Sequence, residues 1–304
     1  MRSLGDKNEA GVTVLAVDIG GTKTLVSLIR GGRVVKLETL ETARDTSPEN
    51  WLAKVRDSVR QWNAAYDCVG VAVTGHVENG YWKSVNDNTL AIEKSFNLAD
   101  AVAKFGCPFE IINDAQAAAW AEYVDGACKG SDLVYLTVST GLGGGIVCNG
   151  KLLKGHRGLA GHFGQIAQNL MSADEGAEPI EDIATGRWML KEAEKAGREI
   201  SAREIFEAAG AGDSWSRKII SASAWRIAKV CRDILYTLDP PVIVIGGGIG
   251  LGKGFLAEVQ QNVARLAPSQ ETRIRASSIK EHAGIIGIAA IAAQSYLETG
   301  ERHE

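Results

Sequence analysis

The sequence predicts an α/β protein of two domains around a cleft, and three observations carry that expectation. Short apolar, β-rich runs alternate along the chain with stretches of helical periodicity. Three of those runs end in glycine-rich turns, at Gly20-Gly21, at Thr140-Gly141 and at Gly246-Gly247-Gly248. A chain of 304 residues is also long enough for two cores of ordinary size.

Residues 1–12 read as a ragged tail. Residues 14–29 then run apolar, turn through Gly20 and Gly21, and return apolar, which predicts a hairpin of strands. The two glycines are expected to take positive φ and to bring backbone N–H groups close to an anion. Thr22 and Lys23 add a hydroxyl and a cation, and Asp18 could hold a magnesium ion through water. Gly31-Gly32 leads into a third strand over residues 33–39. Ser47-Pro48-Glu49 predicts a helix start, with a capping hydroxyl, Pro at the first helical position and an acid in the first turn. In that helix Trp51, Leu52, Val55, Val59 and Trp62 recur at the spacing of a core-facing stripe.

Residues 69–73 read as a buried strand whose exit, Thr74-Gly75, lies where parallel sheets open their ligand crevices. Residues 82–96 read as a polar loop with a hexose-facing edge near Asn86 and Asn88, although Asn also serves plain turns. An apolar strand then meets an Ala-rich helix at Asn113-Asp114. One of these two residues is accounted for as an N-cap. The other places at a helix N-terminus a carboxylate that stays ionised and can accept a hydroxyl proton.

The second glycine hairpin, residues 133–147, repeats the strand–turn–strand pattern of the first. His162 follows among small residues, which favours a ligand-facing role over a place in the core. Residues 171–178 are small and acidic and read as a mobile loop. Helices are expected over residues 181–195, 201–209, 213–238, 254–264 and 284–297, and a strand over 242–245 feeds the third glycine turn.

With these residues in hand, the chain resembles the actin-like ATPase and sugar-kinase superfamily, and within it the ROK family of sugar kinases, from about residue 12 to 297. The matching pieces are Asp18-Ile-Gly-Gly-Thr-Lys23, Asn113-Asp114, Thr140-Gly-Leu-Gly-Gly-Gly145 through Gly155 to Gly161, and Gly246-Gly-Gly248. Within the family it is most similar to bacterial N-acetylmannosamine kinases, through residues 113–122, 138–141 and 158–162. The resemblance implies an actin-like (ribonuclease H-like) fold, with a smaller domain of residues 1–115 plus 284–304 and a larger one of 116–283. It implies ATP-dependent phosphorylation of a sugar at O6, with N-acetylmannosamine as substrate and sialic acid breakdown as setting; N-acetylglucosamine and glucose kinases are the alternative. It implies Asp114 as catalytic base and Thr74, Gly75, Asn86, Asn113, His162 and Glu181 as sugar ligands. Gly20, Gly21, Thr22, Lys23, Thr140 and Gly141 match the phosphate hairpins, Gly246 and Gly247 the nucleoside side, and Asp18 lies near the magnesium. A homodimer in the cytoplasm is the expected state.

One departure from the family pattern stands out. Relatives usually carry a zinc site, but its His position here is Gln165, and residues 166–180 contain no cysteine. The expectation is ATP and Mg²⁺ as cofactors, and no zinc.

Composition narrows the rest. A net charge of −4 gives no basic stripe for nucleic acid, and no apolar run approaches the ~20 residues of a membrane helix. Five scattered cysteines without a Cys-x-x-Cys pair fit reduced thiols better than a disulfide framework. A sugar-binding repressor would need roughly 50 or more residues of DNA-binding module before the first hairpin. A dinucleotide oxidoreductase is disfavoured because Gly246-Gly-Gly-Ile-Gly250 does not match G-x-G-x-x-G with an acid at the right distance.

Overall fold

A computed structural model describes residues 11–85, 90, 92, 95–126, 128–166, 178–268, 273–279 and 282–300. The chain divides into two compact units. One comprises Met1–Lys129, Lys154–Ala160 and Glu281–Glu304, and the other Gly130–Leu153 and Gly161–Lys280.

In the first unit β1 (Thr13–Ile19), β2 (Lys23–Arg30) and β3 (Arg33–Glu41) form an antiparallel meander, followed by α1 (Pro48–Trp62). Trp51, Leu52, Val55 and Val59 of α1 are buried, as their spacing predicts. Ser47 caps α1 differently from expectation. Its carbonyl, not its hydroxyl, receives the first N–H groups, from Asn50 at 3.0 Å and Trp51 at 3.1 Å. Next come β4 (Cys68–Val73), the small strands β5 (His76–Glu78), β6 (Tyr81–Lys83) and β7 (Phe96–Asn97), then α2 (Leu98–Ala103), β8 (Phe109–Asn113) and α3 (Asp114–Val124).

The polar-loop reading of residues 82–96 needs correction at both ends. Trp82 is fully buried in the three-stranded sheet β5-β6-β7, and its indole N–H donates to Thr74 O at 2.8 Å. Indole bulk outweighs the polarity of its neighbours. Asn86, Asn88 and most of the acidic loop at 171–178 lie outside the described residues.

The second unit holds β9 (Leu133–Val138), β10 (Leu142–Cys148), β11 (Lys151–Leu152), then α4 (Glu181–Ala184), α5 (Gly186–Lys195), α6 (Ala202–Gly210), α7 (Ser214–Leu238), β12 (Val242–Gly246), α8 (Phe255–Leu266) and β13 (Arg273–Ala276). The chain then returns to the first unit as α9 (Ala283–Gly300), which packs on α3, β1 and β4.

The two large sheets run β3-β2-β1-β4-β8 and β11-β10-β9-β12-β13. In each, the first three strands of the unit are antiparallel neighbours, and two later strands add in parallel beside the first. The same five-strand plan is therefore built twice, with a glycine hairpin at the head of each copy. Each sheet has its own core. One gathers Leu15, Val17, Val26, Trp51, Val71 and Trp82, and the other Leu136, Ile180, Met189, Ile227, Ile245 and Phe255. Full burial of a side chain of this size is worth about 1.5–3 kcal/mol.

Candidate active site

In the first unit the candidate groups converge at the ends of β1, β4 and β8. Asn113 closes β8 and caps α3, its Oδ1 accepting from Ala115 N at 2.9 Å and Gln116 N at 3.1 Å. Its Nδ2 donates to Gly75 O at 2.8 Å. The cap reading is thus correct for Asn113, and the amide also ties the strand end to the Thr74-Gly75 turn. Gly75 has φ +107, and a Cβ there would lie 2.6 Å from Lys83 O, so only glycine fits.

Asp114, the first residue of α3, is fixed from both sides. Its Oδ2 accepts the Thr74 hydroxyl at 2.6 Å and its Oδ1 the Ala115 N–H at 2.8 Å. Asp18, one residue before the end of β1, lies close enough to Asp114 and Lys23 to feel both charges. Burial first, and then the Asp114 charge, raise the Asp18 carboxyl from 3.8 to about 7, with Lys23 opposing. The N-terminal turn of α9 covers Asp18, because a Cβ on Gly284 would come within 2.5 Å of its Oδ2.

The first hairpin corrects one expectation. Gly20 and Gly21 are absent from the residues with positive φ. Gly20 N instead donates to Lys23 O at 3.0 Å, closing the turn, and a Cβ on Gly20 would sit 3.1 Å from that same oxygen. Glycine is used here for closeness rather than handedness. Thr22 and Lys23 are exposed at the turn.

In the second unit the Thr140-Gly141 turn is the structural counterpart of that hairpin. Ser139 N donates to Gly141 O at 2.9 Å. Beneath it lies Glu181, buried, its carboxyl carbon 3.2 Å from where a Gly141 Cβ would be. On the other side its Oε2 is 3.0 Å from the position of a Gly164 Cβ. Gly164 belongs to the 3₁₀ turn Phe163–Gln165 that His162 heads. Thr140, Gly141 and Glu181, with the turn after His162, thus form one cluster. Gly246 ends β12 against β9, and Gly247 follows it. A Cβ on Gly246 would meet the Tyr135 hydroxyl at 2.2 Å, and Gly247, with φ +83, would meet Val138 O at 2.3 Å.

The expected helix over residues 181–195 is in fact two helices. Thr185, extended at φ −110 and ψ 177, separates α4 from α5. The break frees Gly186 N to reach Ser139 O at 2.8 Å and Arg187 N to reach Thr140 O at 3.2 Å. Arg187, which the sequence reading missed, also pairs through Nη1 with Glu181 Oε1 at 3.2 Å. Thr185-Gly186 is the signal that could have revealed the break, since a β-branched residue followed by glycine weakens a helical pattern at that point.

No group of three or more His, Cys, Asp or Glu side chains able to hold a metal occurs among the described residues. Nor is any helix among them long and apolar enough to cross a membrane.

A model of the ROK family matches residues 14–295. The chain belongs to the ROK family. This ROK chain is 40% identical over 281 residues to the bifunctional enzyme NanE/NanK of Brucella melitensis, covering 92% of itself and 54% of that protein. It thus spans about half the length of that relative. It is 35% identical over 286 residues to the N-acetylmannosamine kinase of Salmonella typhimurium, covering 92% of itself and 98% of the relative. Among solved structures, the ROK hexokinase from Thermus thermophilus matches with a TM-score of 0.79 at 26% identity, over 95% of this chain and 100% of that one. A ROK family glucokinase from Streptomyces griseus, solved with glucose and AMPPNP, matches with a TM-score of 0.79 at 26% identity, over 93% and 99%. With the twofold sheet plan, these likenesses give the ROK chain the actin-like ATPase fold.

Proposed function

We propose that this chain is an ATP-dependent sugar kinase that phosphorylates the 6-hydroxyl of N-acetylmannosamine, as a cytoplasmic homodimer without nucleic-acid or membrane partners. The observation that carries the reading is Asp114. Its carboxylate sits at a helix N-terminus, held by Thr74 at 2.6 Å and Ala115 N–H at 2.8 Å, with Asp18 and Lys23 close by. Two fixed donors set the orientation of the carboxylate, which is what a base needs. In the transfer the sugar oxygen bonds to the γ-phosphorus and the bond to the bridging oxygen of the departing ADP breaks. The hydroxyl proton passes to Asp114.

Thr74, Gly75, Asn113, His162 and Glu181 hold the sugar in this reading, with Asn86 as a further ligand. Residues 20–23 and Thr140-Gly141 take the phosphates, and Gly246-Gly247 the nucleoside. The Asp18 environment fits Mg²⁺. A carboxyl pushed by burial and by a second carboxylate towards keeping its proton gains from a neighbouring cation, and hydrated Mg²⁺ needs only one or two carboxylates. Bound there, the ion would offset phosphate charge.

Substrate choice rests on the identity of the Salmonella relative and on His162, an imidazole with a donor and an acceptor nitrogen where the family resemblance implies that glucose-type members usually carry Glu, which only accepts. A buried hydrogen-bond mismatch costs about 1–3 kcal/mol. A coupled ATP-consumption assay over hexoses and N-acetylhexosamines should therefore give N-acetylmannosamine the highest kcat/KM. A higher value for glucose or N-acetylglucosamine would overturn the substrate while leaving the kinase.

The same reading has the enzyme working without zinc. Elemental analysis of protein purified without added metal should find far less than one zinc per chain. A zinc-selective chelator should leave activity intact with Mg²⁺ in excess. Stoichiometric zinc, or activity restored by zinc alone, would contradict it.

A further inference from the structure

Glu181 is held in a way that its own helix does not explain. α4 is a single four-residue turn, too short to be stable by itself. Its carbonyls are taken up from outside. Ser223 Oγ donates to Ala184 O at 2.6 Å, the Arg226 guanidinium donates to Ile183 O, and Thr185 Oγ1 donates to Glu181 O at 2.7 Å. Arg226 is fixed in turn by stacking on Trp188 at 4.3 Å. This framework fixes the backbone under Glu181, and the three bonds named reach carbonyls rather than its carboxylate.

Arg187 reaches the carboxylate. Its side chain is 12% exposed and that of Glu181 10%, with 3.2 Å between them; Asp182 Oδ1 lies 3.7 Å from the same guanidinium nitrogen. A buried ion pair adds little net stability, because desolvation of both charges offsets their attraction. Its value lies in where it puts the charges. The Arg187 backbone is bonded to Thr140 O, and the Glu181 carboxyl lies directly against Gly141. An acid in that place, left unbalanced, would set a full negative charge beneath the turn that must receive an anion.

We infer that Arg187 is a positioning residue with two effects, both resting on the sugar-kinase reading: it locks the Glu181 carboxylate for the sugar, and it cancels that charge beneath the Thr140-Gly141 phosphate turn. The two effects separate by mutation. Arg187→Met removes the guanidinium from beside the carboxylate and leaves the carboxylate's charge. Arg187→Lys keeps a cation but loses the planar fork. Glu181→Gln combined with Arg187→Met removes both charges.

The test is calorimetric titration of AMPPNP and of N-acetylmannosamine, separately, into each variant, with steady-state KM values alongside and thermal melts to check folding. Arg187→Met should weaken both ligands by about 10-fold or more. Arg187→Lys should hold AMPPNP near the wild-type value and weaken only the sugar. The double variant should return AMPPNP to within about threefold of wild type, by the same charge balance, while sugar affinity stays low. A purely structural Arg187 would not give that selective recovery. Arg187→Met with both affinities unchanged, or a double variant as poor for AMPPNP as Arg187→Met, would overturn the inference. Should Arg187→Met fail to fold, Arg187→Lys and the double variant decide it. If the wild type does not bind N-acetylmannosamine, the substrate assignment has failed instead, and the AMPPNP titrations still decide the charge effect.

Discussion

Asp18, on β1, and Asp114, at the start of α3, lie close enough to feel each other's charge and are made unlike by their surroundings. Asp114 is bonded to a hydroxyl and a backbone N–H, whereas Asp18 is raised to about 7 by burial and by Asp114. A carboxyl whose folded pKa exceeds its unfolded value of 3.8 stabilises the fold below that value, and the contribution fades as pH rises through about 7. In metal-free protein, Asp18→Asn should therefore flatten the decline in melting temperature between pH 4 and pH 7; an unchanged slope would mean that Asp18 is ionised throughout. Asp114→Asn should keep the fold and sugar affinity while kcat falls by about 10²–10⁴-fold, and near-normal turnover would remove Asp114 from the base role. At this scale much was legible. A polar pair at a strand-to-helix junction is a local signal, and Asn113 and Asp114 are found in the places it implies. Arg187 was not legible, because an arginine within a helix usually extends into solvent, and only the Thr185 break turns this one inward.

At the level of elements, α9 shows why glycine and alanine dominate a helix that could have been leucine-rich. A Cβ on Gly70 of β4 would lie 2.7 Å from Ile288 O, and one on Gly287 would lie 1.7 Å from Ala117 O of α3. The helix lies against β4 and α3 at backbone contact distance, burying Ile285 and Ile288 completely. Gly287→Ala should destabilise by about 1–3 kcal/mol or more, the usual range for overpacking. It should thus lower the melting temperature by several degrees; a variant melting with the wild type would mean that the crossing has slack. Period-2 and period-3.6 patterns made most strands and helices readable, since they report burial by one's own element. The split between α4 and α5 was hidden because its cause is non-local, lying in the carbonyls of Ser139 and Thr140. The conformation of Gly20 was misread for a related reason, since a glycine pair fits a positive-φ turn and a close-packed one equally well.

Across the whole molecule the same sheet plan occurs twice, yet neither compact unit is one continuous stretch of chain. The segment Lys154–Ala160 follows the second unit's β11 but belongs with the first. It is fastened there by the Gln116 amide, at 2.8 Å from Ala160 O and 3.2 Å from Gly158 O, and by a hydrogen bond between His76 Nε2 and Arg157 O at 2.5 Å. Gly158, with φ +81, allows the close approach to Val77 O. Tertiary closure of this kind leaves only a faint trace in sequence, as glycines spaced along residues 155–161. The return of α9 has a consequence in time. On a ribosome, β1, β4 and α3 emerge first, and the helix that covers them follows only after residues 130–282 have been made. At ~5–20 residues per second that is roughly 8–30 s of exposure for an apolar sheet face. The nascent chain must pass through this interval as an unfinished half, open to chaperones and to other nascent chains, before its last helix can seal it.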